Sequence, residues 1–250
     1  MSRSVLVTGA ARGIGAAVAR RFAADGWEVH AGDLDLAGVQ ALAQRTPGVR
    51  ARHLDVTDPR AWREALEAVG PLDVLVNNAG VLVSGPFAAL DPRAQARMVD
   101  VNVTGVLYGC AAALPHLRRG GCVVNVASAS ALYGQPGLAT YSATKAAVCA
   151  LTEALDLEWE PHGVRVVDVL PLFVDTDMLL QARDLASLRS LGVRLSADDV
   201  AAAVHAAALA PRSRTRGPHR LVGRQARLFA AGGRALPAAL TRRLVGRLAR

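Results

Sequence analysis

The sequence predicts an α/β protein of one domain, a doubly wound parallel sheet with helices on both faces, and three observations carry that prediction. Short β-branched runs alternate from the start with Ala/Leu/Arg segments of helical period. Repeated strand–helix units of this kind give a parallel sheet. The connections are short and such crossovers are right-handed, so successive helices cover both faces. Finally, 250 residues with 52% hydrophobic content suffice to bury one sizeable core.

In chain order, strands are expected at Ser4 to Val7, Glu28 to Gly32, Val49 to Leu54, Leu72 to Val76, Cys122 to Val126 and Val164 to Leu170, each an apolar, β-branched run of strand length. The helical period predicts helices at Ile14 to Asp25, Pro59 to Val69, Pro92 to Leu117, Thr140 to Glu160 and Ala197 to Leu209. Leu172 to Ser196 has no strong period and is expected to form a lid. The Arg/Pro/Gly-rich stretch Pro211 to Pro218 reads as a loop, followed by a short edge strand at His219 to Val222. Beyond it, Leu236, Leu240, Leu244 and Leu248 recur every four residues beside Arg243, Arg247 and Arg250, the pattern of a basic amphipathic helix. The expected organisation is a catalytic domain over 1–222 and an Arg/Leu-rich extension over 223–250, packed on that domain or on a partner subunit.

The net charge of +8 is unevenly spread. No Asp or Glu follows Asp199, while eleven arginines lie between Arg212 and Arg250, so the preceding chain carries −3. The basic tail has no interleaved aromatics and no helix-turn-helix pattern, so no nucleic-acid partner is expected. No run of about 18 uninterrupted apolar residues appears, and a strand pattern starts at once, so a soluble cytoplasmic protein is expected. Cys110, Cys122 and Cys149 form no CxxC pair; reduced thiols and no metal are expected. Of the 29 Lys and Arg residues only Lys145 is a lysine. A compact ammonium was kept at one position, where several hydroxyls crowding a point charge would exclude the larger, directional guanidinium.

Directly after the first strand comes Thr8-Gly9-Ala10-Ala11-Arg12-Gly13-Ile14-Gly15, and helical sequence follows. Glycines at 9, 13 and 15 permit a tight turn, close approach to a diphosphate and close helix–strand packing, while the helix N-terminus offers free N–H groups. Gly9, Arg12, Gly13, Ile14 and Gly15 are thus a candidate dinucleotide cradle of the Rossmann fold. Asp33, at the end of the second strand, can accept hydrogen bonds from the adenosine ribose and repel a 2′-phosphate, which favours NAD over NADP. Arg12 pulls the other way, and Asp35 could fill the same role in a shifted frame.

A second constellation is Ser128, Tyr141 and Lys145. Tyr141 and Lys145 are four apart on a predicted helix and share a face. Ser128 follows the Val123–Val126 strand at its carboxyl end, where open α/β sheets place ligands. A tyrosine with a pKa of about 10 becomes a usable acid/base when a nearby ammonium and an oxidised nicotinamide each pull it down by about one to three. Tyr141 would then exchange the proton of an alcohol or alkoxide, Ser128 would hydrogen-bond the same oxygen, Lys145 would hold the nicotinamide ribose, and Asn102 could link Lys145 to solvent through a water.

With these residues in place, the sequence resembles the classical short-chain dehydrogenase/reductase family over Val5 to about Leu209. The matching stretches are TGAARGIG (Thr8 to Gly15), LDV (Leu54 to Val56), NNAG (Asn77 to Gly80), VN (Val101 to Asn102), NVAS (Asn125 to Ser128) and YSATK (Tyr141 to Lys145). The resemblance implies adenine contacts from Asp55 and Val56, a groove lined by Asn78 and Ala79, and a catalytic tetrad of Asn102, Ser128, Tyr141 and Lys145. It also implies contacts from Val174 and Thr176 to the nicotinamide carboxamide. A homo-oligomer, dimer or tetramer, built partly on the helix of Tyr141 and Lys145 is implied as well. The chain departs from the family in two places: Pro171-Leu172 stands where Pro-Gly is usual, and the basic tail replaces the usual ending. The pocket-side candidates Ser130, Leu132, Tyr133, Leu138, Leu172, Phe173, Met178 and Leu179 are mostly apolar.

The resulting expectation is hydride transfer between NAD(H) and a largely apolar secondary alcohol or ketone. The alternatives are an NADPH-dependent carbonyl reductase using Arg12 and a dinucleotide-sensing binding protein without turnover. A peripheral membrane contact is the alternative role for the tail.

Overall fold

The computed structural model describes residues 3–180, 185–211, 217–235 and 238–248. A seven-stranded, wholly parallel sheet runs in the order β3-β2-β1-β4-β5-β6-β7, with β1 at Ser4–Thr8, β2 at Glu28–Asp33, β3 at Val49–His53, β4 at Leu72–Asn77, β5 at Leu117–Val126, β6 at Arg165–Leu170 and β7 at His219–Leu221. The strand order reverses between β1 and β4, and open α/β sheets bind ligands at such a switch point, outside the carboxyl ends of the strands.

Alternation along the strands sends side chains to two cores. Val5, Val7, Val29, Val74, Val124 and Val167 pack with α1 (Gly13–Ala24), α2 (Leu36–Arg45) and α9 (Ala197–Leu209). Leu6, Leu75, Val123 and Val166 face the other way, onto α3 (Pro59–Val69), α5 (Gly105–Ala113) and α6 (Ala139–Glu158). Both faces are therefore covered, as a parallel sheet requires. Local chemistry fixes several helix starts. Asp58 accepts the Arg60 N–H at 2.8 Å with Pro59 in the first turn. Asp91 does the same for Arg93 ahead of α4 (Pro92–Val99) at 3.0 Å. Ser196 and Asp199 form a reciprocal capping box at the start of α9.

The fold differs from the sequence reading in four places. Helix α2 was not expected; Asp35, offered above as a second ribose ligand, caps it by accepting the Gly38 N–H at 2.9 Å, and Val39 and Leu42 bury its inner face. The helix expected over Pro92 to Leu117 is interrupted: α4 and α5 are joined by one π-helical turn at Asp100–Thr104, and a 3₁₀ turn follows at Leu114–His116. That stretch, Pro92–His116, is long and apolar enough by composition to cross a membrane, yet 44% of its most apolar 18 residues is buried within this fold. Strand β5 begins at Leu117, pairing with Leu72, well before Cys122.

The tail forms two helices, α10 (Gly223–Ala235) and α11 (Ala238–Leu248). Among the described residues of these helices Ala226, Ala230 and Val245 are buried, whereas Leu240 of the expected apolar row is exposed. Leu236 and Arg250, the Leu244 and Leu248 side chains, and residues 181–184 and 212–216 of the expected lid and loop lie outside what is described. Within the lid segment, α7 (Asp177–Leu180) and α8 (Ala186–Leu191) are helical, and α11 packs on α8.

Candidate active site

At the switch point the turn after β1 is locked by side chains on both sides. Thr8, almost wholly buried, accepts the N–H groups of Asn78 and Ala79 through Oγ1, both at 3.0 Å. Asn78 returns two hydrogen bonds from Nδ2 to the carbonyls of Thr8 and Gly9, at 2.9 and 3.1 Å. Gly9 has φ +65°, and a Cβ there would stand 2.7 Å from the Ala79 Cα; a Cβ on Gly15 would stand 2.1 Å from the Gly9 carbonyl oxygen. No larger residue fits either place, so the backbone is left bare toward the N-terminus of α1.

Asp33 closes the far side. Its carboxylate accepts the N–H of Ala11 and of Asp35, each at 2.9 Å, which fixes it at the rim of the turn. Asp55 accepts the Thr57 N–H and hydroxyl at 2.9 and 2.7 Å. Partial burial works to raise its carboxyl, but these bonds, with Arg97 and His53 nearby, hold it below the ordinary value.

A cavity of about 710 Å³ runs from this cradle to the carboxyl end of β5. Gly9, Arg12, Gly13, Ile14, Asp33, Asp55, Val56, Asn78, Ala79, Val174 and Thr176 line it, and so do Ser128, Tyr141 and Lys145, so all but two of the residues singled out for cofactor or chemistry share one space. The exceptions are Gly15, packed beneath the turn, and Asn102. The fully buried Asn102 sits in the π-helical turn, accepts the Val81 N–H at 2.8 Å and donates to the Val81 carbonyl at 2.9 Å and to Thr144 Oγ1 at 3.2 Å. It ties the loop after β4 to α6, and a π-turn at such a place is a recurrent device for aiming a side chain.

Ser128 caps the short 3₁₀ turn Ala129–Ala131 by accepting the Ser130 N–H at 3.2 Å. Lys145 donates to the Val126 carbonyl at 2.7 Å and its Nζ lies 5.7 Å from the centre of the Tyr141 ring. Burial pushes the Tyr141 phenol up to about 12, a hydrogen bond from Ser128 only partly offsetting it, and pushes Lys145 down to about 8. The sequence reading lowers the phenol through the ammonium and an oxidised nicotinamide together; in the protein alone burial raises it, and the ammonium is turned toward Val126.

Of the substrate candidates, Ser130, Leu138, Leu172, Phe173, Met178 and Leu179 line the cavity, whereas Tyr133 and Leu132 are not among its lining residues and Leu132 is exposed. Three residues that the sequence reading passed over belong here. Thr8 was readable, since it opens the glycine motif. Gln135, buried and lining the cavity, and Arg97, brought to its edge from α4, had no signal in the linear order.

Cys149, Asp168 and His219 lie within 4.8 Å of one another at a separate place, between α6, β6 and β7. His219 meets Asp168 through Nδ1 at 2.8 Å and Glu153 through Nε2 at 2.7 Å. Both partners are acceptors, so the ring donates from both nitrogens as a cation, its pKa raised to about 9, and offers no lone pair to a metal.

Fold and cradle together define a dinucleotide-binding α/β protein with a Ser–Tyr–Lys cluster on the cavity wall. Comparison with known proteins narrows the class. Residues 3–185 match the short chain dehydrogenase family. The chain is 40% identical over 184 residues to meso-2,3-butanediol dehydrogenase of Serratia marcescens, covering 71% of this chain and 73% of that one. To cyclopentanol dehydrogenase of Comamonas sp. it is 37% identical over 190 residues, covering 72% and 76%. Among solved structures, a short chain dehydrogenase from Burkholderia cenocepacia in complex with NADP superposes with a TM-score of 0.82 at 30% identity over 97% of both chains. A 3-ketoacyl-(acyl-carrier-protein) reductase from Brucella melitensis complexed with NADH gives 0.79 at 31% identity over 88% and 95%. The chain belongs to the short-chain dehydrogenase family. It is an oxidoreductase of alcohol and carbonyl groups that uses a nicotinamide dinucleotide.

Proposed function

We propose that this protein interconverts a secondary alcohol and its ketone with NAD(H), Tyr141 acting as acid and base. The observation that carries this reading is that Ser128, Tyr141 and Lys145 line the same cavity as the glycine cradle. The cradle suits a dinucleotide, because Gly9, Gly13 and Ile14 line the cavity at the N-terminus of α1, in a turn packed too tightly on Ala79 and on itself to carry a side chain at Gly9 or Gly15. Gly9, Gly13, Ile14 and Gly15 would hold the diphosphate, Asp33 the adenosine ribose, Asp55, Val56, Asn78 and Ala79 the adenine side, and Val174 and Thr176 the carboxamide. Bound there, the dinucleotide supplies or accepts the hydride.

The rest is proton management by the chain. With its phenol near 12, Tyr141 is protonated at neutral pH and ready to donate to the oxygen of a ketone being reduced. Lys145, near 8, is mostly ammonium at pH 7, and a cation beside the phenol favours the phenolate that oxidation needs. Ser128 Oγ holds the reacting oxygen. Asn102 positions the wall on which Lys145 sits through its clamp on Val81. The names of the relatives, dehydrogenases of butanediol, cyclopentanol and hydroxysteroids, support a secondary alcohol as the substrate class.

NAD is preferred in this reading because the fixed Asp33 carboxylate would face a 2′-phosphate. A second reading, use of NADP, is favoured by the exposed Arg12 on the cavity wall and by the NADP and NADPH bound in two structural neighbours. We further read the protein as a cytoplasmic homo-oligomer, with residues 223–250 as an extension of one catalytic domain and no nucleic-acid partner.

The test is a fluorescence titration with NADH and NADPH, alongside turnover of secondary alcohols by the wild type and Tyr141→Phe. Tighter NADH binding is expected, with turnover falling about 10²–10⁴-fold in the variant while NADH affinity holds. Binding of NADH without turnover by either protein would instead indicate the dinucleotide sensor.

A further inference from the structure

The basic tail gathers its charge on outward helix faces. On α10 the exposed Arg224, Arg227 and Leu228 stand at i, i+3 and i+4, and on α11 the exposed Leu240, Arg243 and Arg247 stand at i, i+3 and i+7. Residues at these spacings share one side of a helix, so each helix presents two guanidinium groups and a leucine together. Ala226, Ala230 and Val245 turn into the protein instead. Leu228 is 72% exposed and Leu240 45%, so both faces are apolar as well as cationic.

Water alone serves such faces poorly. Arginines three or four apart on a helix repel one another, and a solvated helix ordinarily offsets this with interspersed carboxylates. None is at hand: residues 200–250 contain no Asp or Glu. Among the described residues, Arg224, Arg227, Arg243 and Arg247 make no ion pair. A second copy of the same faces would add to the repulsion, so they are not built to meet each other. Nucleic acid is usually held by basic side chains interleaved with aromatic ones that stack on bases, whereas leucines accompany the arginines here. A phospholipid surface satisfies both groups. Its phosphates accept paired N–H groups from a guanidinium, and its acyl boundary takes up the leucines.

We propose that the outer faces of α10 and α11 form a docking surface for an anionic phospholipid bilayer, on which the protein sits peripherally. With 13 and 11 residues the helices are too short to cross a bilayer, so they lie in its surface, arginines at the phosphates and Leu228 and Leu240 dipping below them. This stands apart from the dehydrogenase reading above, because none of these six residues lines the cavity.

The experiment is flotation of the full chain with vesicles of phosphatidylcholine alone and with vesicles in which about a third of the lipid is phosphatidylserine, at low and at high salt. It compares the wild type with the triple variant Arg227→Gln, Arg243→Gln, Arg247→Gln and with the double variant Leu228→Gln, Leu240→Gln. The wild type is expected to bind the anionic vesicles at least about tenfold more tightly than the neutral ones at low salt and to be released at high salt. Affinity should fall about tenfold or more in the arginine variant and about threefold or more in the leucine variant. The Tm and the Kd for NADH should stay at wild-type values in both, since every substituted side chain is exposed and outside the cavity. No binding at low salt, equal binding to the two kinds of vesicle, or undiminished binding by either variant would overturn the proposal. Tighter binding to a DNA duplex than to anionic vesicles at matched phosphate concentration would overturn it in favour of a nucleic-acid contact.

Discussion

Tyr141, Asp33 and Leu172 each show how a neighbour changes the meaning of a residue that the linear sequence can only nominate. Spacing puts Tyr141 and Lys145 on one helix face, but that spacing says nothing of depth, and depth governs the phenol: burial holds it near 12. Asp33 was readable as a ribose ligand, and the structure adds that its two oxygens are already pinned by Ala11 and Asp35. Removing its charge should therefore change cofactor choice. Asp33→Ser is expected to raise NADPH affinity about tenfold or more relative to NADH, read in paired titrations; an unchanged ratio would assign the discrimination elsewhere. Leu172 lines the cavity where a glycine was usual for the resembled family. Leu172→Gly is expected to change substrate preference several-fold while the Kd for NADH stays within about threefold, because the cradle is built from β1, α1 and the loop after β4. A shift in NADH affinity with unchanged preference would refute this.

Elements were legible in proportion to how local their causes are. The glycine turn, the Asp-Pro helix starts and the valine-rich strands are written in adjacent residues. The π-turn around Asn102 is not, because it answers to the Val81 backbone, twenty-one residues away. Strand β7 shows the same dependence. It is only three residues long and lies at the sheet edge, where His219 bonds the buried Asp168 of β6 and Glu153 of α6. The side-chain hydrogen bond to Asp168 raises the His219 pKa to about 9, against burial, which lowers it. A raised folded-state pKa stabilises fully below the unfolded value of about 6.5, and the benefit is lost as pH rises through about 9. Denaturant titrations at pH 6, 7.5 and 9 should show this decline in the wild type relative to His219→Gln. Parallel pH profiles for the two proteins would show that the imidazolium latch contributes nothing. Lys145 titrates in both proteins and cancels in the difference.

For the whole molecule, the fold and the tail behave differently. The sheet order and its two cores follow from alternation along strands and the right-handedness of crossovers, so the expected doubly wound sheet is the observed one. The tail carries its charge on the exposed Arg224, Arg227, Arg242, Arg243 and Arg247 while Ala226, Ala230 and Val245 turn inward. Its helix α11 packs on α8, in the segment that follows the cavity-lining Phe173 to Leu179. Truncation after Val222 is accordingly expected to lower Tm and raise the KM for the alcohol several-fold while the Kd for NADH moves by less than about threefold. Loss of NADH binding in a truncated protein that stays folded would show that the tail reaches the cofactor instead. Co-sedimentation of the full chain with anionic vesicles at low salt checks the membrane role of the same tail, and no binding there would remove it.

By itself the sequence determined the layer architecture, the position of the glycine turn and the identity of the Ser–Tyr–Lys group, because periodicity, turn chemistry and helix spacing act over a few residues. Tertiary structure alone decided how deep Tyr141 and Lys145 lie, that Asn78 braces the turn it borders, that Asn102 clamps Val81, and that Gln135 and Arg97 come to the cavity. Those facts depend on which distant segments close over a residue, and desolvation and hydrogen-bond pairing are properties of that enclosure rather than of the chain order.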